Sequence, residues 1–96
     1  MSASQTPSEN LQVRAKRLRY RATHRGMLEM DVVLGGYVTA HAAKLDADEI
    51  TRLERLMDEQ DADLLAWITG QQETPQDADG ELIAKIAAYH RAMVGK

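Results

Sequence analysis

The densest grouping of residues able to do chemistry is His24-Arg25-Gly26-Met27-Leu28-Glu29-Met30-Asp31. A planar guanidinium can grip a carboxylate or a set of carbonyls. A glycine lets a second surface approach the backbone closely, and carboxylates near the start of a helix sit favourably against its dipole. From the residues alone, Arg25, Gly26, Glu29 and Asp31 therefore form either a structural turn or a contact site, and both readings stay open. A basic stripe leads into the segment, because Arg14, Arg17, Arg21 and Arg25 recur at three- and four-residue intervals.

Other chemistry finds no support. The chain has no cysteine, which removes disulfides, thiolate nucleophiles and cysteine-based zinc sites. His24, His41 and His90 have no spacing that suggests a shared site, so no metal is expected. No serine or threonine stands in a nucleophile elbow, and no glycine-rich loop follows a strand. No catalytic residue is assigned, and the chain is not expected to be an enzyme.

Ninety-six residues make one small domain with a single core. Its apolar residues are mainly aliphatic, with one Trp, three Tyr and no Phe, a composition that suits packed helices better than a β-sandwich. The net charge of -3 conceals an asymmetry. Arg14, Lys16, Arg17, Arg19, Arg21 and Arg25 make up half of the twelve basic residues, while fourteen of the fifteen acids lie between Glu29 and Glu81. Such a division implies a polarised surface. It also raises a competing reading, a small nucleic-acid-binding helical domain whose first helix meets phosphates through its arginines and Tyr20. The overall acidity and the lack of a basic second helix weigh against that. No apolar run approaches the roughly 20 residues of a membrane span, and residues 1–10 lack the apolar stretch of a secretory signal. A cytoplasmic protein of bacterial type is expected, or a mitochondrial-matrix one in a eukaryote.

The elements that would position the 24–31 segment follow from periodicity. Residues 1–9 read as a disordered polar tail and residues 10–96 as the helical domain. Asn10 is the expected cap of a first helix carrying Leu11, Ala15, Leu18 and Ala22 on one face, ended by Gly26 in a left-handed conformation. A second helix is expected from about Met27 to Ala43, with Met30, Val33, Leu34, Tyr37, Val38 and His41 on its inner face. Gly35-Gly36 interrupts it and offers a rival hairpin, but the arms would be three residues long and the helical spacing continues on both sides. Asp46 and Glu49 form a capping-box pair, with Leu45 and Ile50 placed for a hydrophobic staple. Ile50, Leu53, Leu56 and Met57 then face inward. Asp61 is the expected cap of a fourth helix stopped by Gly70. Asp79 or Gly80 opens a fifth, with Leu82, Ile83, Ile86, Tyr89 and Met93 at helical spacing. The fold class is thus all-α, a compact bundle of five short helices.

Arg25-Gly26-x-x-Glu29, followed by Asp31, resembles the RGxxE signature of the FAD assembly factor (SdhE) family. Lys16-Arg17-Leu18-Arg19-Tyr20-Arg21 before it, Leu45-Asp46-x-Asp48-Glu49, and Asp61-Ala62-Asp63-Leu64-Leu65-Ala66-Trp67-Ile68 further on extend the likeness over about residues 14–94. Gly36 departs from it, since members often carry a larger or charged residue there. The resemblance implies a five-helix assembly factor that binds the flavoprotein subunit of succinate dehydrogenase, and in bacteria that of fumarate reductase. Such factors promote bonding of the flavin 8α-methyl carbon to a histidine of that subunit. It implies no stably bound cofactor, since the FAD is held by the client, and a chain that is monomeric alone, enters no membrane and binds no nucleic acid. Carried onto this sequence, Gly26 permits close apposition, Arg25 makes a charged contact and Glu29 points into the interface. Asp31 supports the turn, and Arg14, Arg17 and Arg21 flank the surface and steer encounter with an acidic client patch.

Overall fold

The computed structural model describes residues 7–94 of the chain. Five helices follow in order: α1 (Pro7–Thr23), α2 (Leu28–His41), α3 (Ala47–Leu56), α4 (Asp61–Thr69) and α5 (Gly80–Val94), with a short 3-10 turn (Ala42–Lys44) after α2. The all-α bundle expected from the periodicity is the observed fold. Pro7 is the first helical residue, a position where its missing N–H costs nothing. Asn10, expected as a cap, therefore lies inside α1. Residues 7–9, expected in the disordered tail, begin α1, and residues 1–6 fall outside the described residues.

The core is built around α2. Met30, Val33, Leu34, Tyr37 and Val38 are buried, and they meet Leu18 and Ala22 of α1, Leu64 and Ile68 of α4, and Leu82, Ile83 and Ile86 of α5 in one cluster. α3 adds Ile50, Leu53 and Leu56, followed by Met57 at its C-terminal end. Helical spacing identified nearly all of these. Met93 is the exception, about half exposed because α5 outruns the core it packs on.

α2 runs unbroken through its two glycines, so the hairpin does not form. The two positions differ in surroundings. A Cβ on Gly35 would stand 2.9 Å from Thr23 Cγ2 and 3.0 Å from the Ala22 carbonyl oxygen, so α1 and α2 cross where α2 has no side chain. Thr23 is held by a hydrogen bond from its hydroxyl to the Arg19 carbonyl at 2.9 Å, and swings away only by losing it. A Cβ on Gly36 would meet nothing within 4 Å.

Side chains close most of the remaining helix ends. Asp46 Oδ1 accepts from Glu49 N–H at 2.8 Å, while Glu49 Oε1 accepts from Asp46 N–H at 3.1 Å, completing the expected capping box. Leu45 is half-buried against the core and Ile50 fully buried, as the staple requires. Gly70, at φ 81°, ends α4. Asp79 caps α5 by accepting from Leu82 N–H at 3.1 Å, and it also takes both forks of Arg52 at 2.6 and 2.7 Å. Bonding to the Arg52 guanidinium, ahead of the Leu82 amide, holds the Asp79 carboxyl below its ordinary range. Between α2 and α5, Tyr37 stacks on His41 at 4.3 Å and meets Tyr89 edge-on at 5.8 Å.

Gly35→Ala should destabilise by about 1–3 kcal/mol through overpacking, whereas Gly36→Ala should stabilise by up to about 1 kcal/mol through helix propensity. Thermal denaturation of the two variants should therefore move in opposite directions. A carboxylate whose pKa is depressed on folding stabilises the native state above its unfolded value, and that contribution fades as pH falls through the folded value. The melting-temperature gap between the wild type and Asp79→Asn should be fully open above about pH 5, beyond the ordinary carboxylate value, and should narrow as pH falls below that value towards the depressed folded one.

Candidate functional site

The connection between α1 and α2 is four residues, His24 to Met27, and it must dispose of the carbonyls left over at the end of α1. Thr23 Oγ1 and His24 Nδ1 bend back to the Arg19 and Tyr20 carbonyls, both at 2.9 Å. A carbonyl only accepts, so His24 Nδ1 carries the proton. The imidazole is thereby laid flat on the Tyr20 ring at 4.0 Å. Gly26 takes φ 86°, the left-handed conformation expected of it, but α1 has already ended at Thr23, so the glycine turns the connection instead of capping the helix. It is exposed, and nothing stands within 4 Å of where a side chain would begin.

Arg25 departs most from expectation. Its fork, expected to reach a client, is engaged inside the chain. Nε donates to Asp61 Oδ1 at 2.6 Å, Nη1 to the Met57 carbonyl at 3.0 Å and Nη2 to the Glu59 carbonyl at 3.1 Å. The Arg25 side chain is only 11% exposed. Asp61, expected to cap α4, is instead the first residue of that helix. Gln60 occupies the cap position without a side-chain bond, and the Asp61 carboxylate is turned to Arg25. Asp31 supports the turn as expected, accepting from the Arg25 amide at 2.9 Å.

The basic stripe is likewise turned inward at two places. Arg14 binds Glu54 and Thr51 of α3 at 2.8 and 2.9 Å, and Arg21 reaches Asp58 at 3.2 Å. Together with Arg25 and Asp61, these contacts advance along both segments in the same direction. Residues 14, 21 and 25 meet 54, 58 and 61. Arg14 and Arg21 therefore serve to join α1 to the α3 region, where an open client-steering surface was expected. Arg17 is exposed and forms no ion pair among the described residues, as are Lys16 and Arg19.

Glu29 lies in the first turn of α2, exposed and without a hydrogen bond or ion pair among the described residues. Two residues missed in the sequence flank it. Leu28 is 78% and Val32 58% exposed, four apart on one face of α2. Their signal was available: both fall out of phase with the inner stripe of Met30, Val33, Leu34 and Tyr37. The corner thus presents bare backbone at Gly26, one free carboxylate and two apolar side chains on a braced turn. Among the described residues, no group of three His, Asp or Glu is placed to hold a metal ion, and no helix is long and apolar enough to cross a membrane. What the corner offers is contact.

Comparison with known proteins gives a consistent picture. The profile of a family described as "Flavinator of succinate dehydrogenase" matches residues 16–90. The FAD assembly factor SdhE of Acetobacter pasteurianus is 33% identical over 94 residues, covering 98% of this chain and 86% of that protein. The mitochondrial succinate dehydrogenase assembly factor 2-B of Drosophila willistoni is 33% identical over 86% of this chain and 54% of its own length. That of Dictyostelium discoideum, assembly factor 2, is 32% identical over 78% of this chain. The chain thus spans most of the bacterial relative but only about half of the mitochondrial ones. No solved structure matches it significantly.

Two neighbouring carboxylates should separate by their environment. Asp31→Ala leaves the part-buried Arg25 amide without its acceptor and should cost about 1–2 kcal/mol. Glu29→Ala removes an exposed, unpartnered group and should stay within about 0.5 kcal/mol of the wild type in urea denaturation.

Proposed function

Because the chain belongs to the family of succinate dehydrogenase flavinators, we propose that it binds the flavoprotein subunit of that enzyme and promotes covalent attachment of FAD to a histidine there. The reacting atoms belong to the client and its flavin, so the factor supplies no chemical group and holds no cofactor of its own. Its contribution is positional. Fixing two reactants in near-attack geometry removes a large entropic part of a barrier, and an assembly factor can do so by holding the client fold around its flavin.

The observation that carries this reading is the pairing of an open backbone at Gly26 with Glu29, three residues on and unpartnered among the described residues, on a braced corner. A carboxylate with no internal partner is available to orient a client side chain. Leu28 and Val32 add exposed apolar area beside it, and covering that area on contact favours association. Electrostatic steering of the encounter falls to Lys16, Arg17 and Arg19, which are exposed and unpaired among the described residues. The nucleic-acid reading loses its footing here, because Arg14, Arg21 and Arg25 are matched by acids of the chain itself.

Glu29→Ala and Leu28→Asp should both remain folded and reduce flavin attachment at least tenfold. The readout is in-gel flavin fluorescence of the denatured client subunit after reconstitution with apo-client, FAD and the variant. Wild-type fluorescence with both variants would overturn the assignment of this corner.

A further inference from the structure

We propose that Asp61 is a positioning residue of the client-facing corner: it fixes Arg25, and through Arg25 the turn that carries Gly26 and Glu29. The proposal rests on the docking corner described above and assigns Arg25 an internal role in place of a contact with the client.

Arg25 is held from two directions. Its amide donates to Asp31 Oδ1 of α2 at 2.9 Å, while its guanidinium donates to Asp61 Oδ1 and to the Met57 and Glu59 carbonyls. The acceptors of the side chain come from the α3–α4 junction, 32 to 36 residues along the chain. A planar fork has little freedom once three of its N–H groups are committed to three fixed oxygens. Residue 25 is therefore immobilised directly before the left-handed Gly26 and four residues before Glu29.

Asp61 is the least exposed of the three carboxylates that meet Arg14, Arg21 and Arg25, at 20% against 30% for Glu54 and 76% for Asp58, and Arg25 itself is 11% exposed. A client carboxylate approaching through Nε would have to displace Asp61 at 2.6 Å, and the two N–H groups left uncommitted belong to a side chain only 11% exposed. The Asp61 carboxylate also forgoes the cap of its own helix, leaving Gln60 in that place without a side-chain bond. Its stereochemical partner is the corner.

The two roles for Arg25 predict different thermodynamic cycles. Arg25→Ala, Asp61→Ala and the double variant should be titrated against the purified flavoprotein subunit loaded with non-covalent FAD. If Asp61 positions the corner, each single variant weakens binding about tenfold or more, and the double variant is no weaker than the worse single. Asp61→Asn keeps the acceptor oxygen and should recover most of the affinity. Hydrogen exchange in Asp61→Ala should accelerate at the Arg25 amide while that of buried Leu34 stays protected. Glu54→Ala, which breaks the Arg14 pair, should leave client affinity unchanged and so separate positioning from general stability. The proposal is overturned if Asp61→Ala binds the client as well as or better than the wild type while Arg25→Ala does not. It is equally overturned if the losses multiply in the double variant. Should Glu29→Ala also bind normally, the docking corner itself is wrong; should Glu29→Ala fail while Asp61→Ala succeeds, only the positioning role is.

Discussion

A short connection between two packed helices must satisfy backbone groups that the helices leave orphaned, and the solution adopted here governs the rest of the molecule. α1 ends by folding Thr23 and His24 back onto its last carbonyls. The carbonyls beyond α3, at Met57 and Glu59, are met by the Arg25 guanidinium, a cation at the negative end of a helix. One side chain thus completes the end of α3, pairs with the first residue of α4 and sets the backbone from which α2 departs. The α1–α2 corner and the α3–α4 corner are in effect a single structure, although more than thirty residues separate them in the chain.

The charge asymmetry has the same origin. Read linearly, six basic residues followed by fourteen acids suggest opposing surfaces. In the fold, Arg14, Arg21 and Arg25 lie along Glu54, Asp58 and Asp61, and the stripe is largely neutralised where it touches α3 and the junction beyond it. The exposed pairs add little stability, about 0–1 kcal/mol each. Their physical effect is on register, since these three pairs form together only when the segments run side by side in this direction and at this offset. What the stripe leaves for a partner is smaller and more local than the composition suggests: Lys16, Arg17 and Arg19 on α1.

The helices, their inner faces and the capping box were legible because each depends on residues within a turn or two of one another. Asp46 and Glu49 announce their mutual bonds by spacing alone. Asp61 did not, because an aspartate at a helix start looks like a cap whichever way its carboxylate turns, and Arg25 lies 36 residues away. Gly35 and Gly36 are identical in sequence terms, yet only the first faces another helix. Local periodicity placed both on α2 but gave no crossing point. Gly26, Glu29 and Asp31 were identified as residues of interest from their types and spacing. The division of labour among them, two carboxylates with one spent on the turn and one left free, needed the positions of their neighbours.

That division bears on how an assembly factor can act through contact. Binding energy is lost when a surface must be ordered at the moment of contact, and a surface already ordered avoids that loss. A partly buried ion pair is a weak source of stability, because desolvation offsets much of its Coulomb attraction and an apolar contact of equal volume often does as well. Placing Arg25 and Asp61 beneath an exposed turn is therefore hard to explain by stability alone. Directional bonds do what an apolar contact cannot: they fix the angle and the distance at which the next few residues emerge. In this chain those residues are Gly26, with no side chain, and then Leu28 and Glu29, whose carboxylate has no partner among the described residues. A corner rigid beneath and open above is suited to imposing its own geometry on the surface it meets.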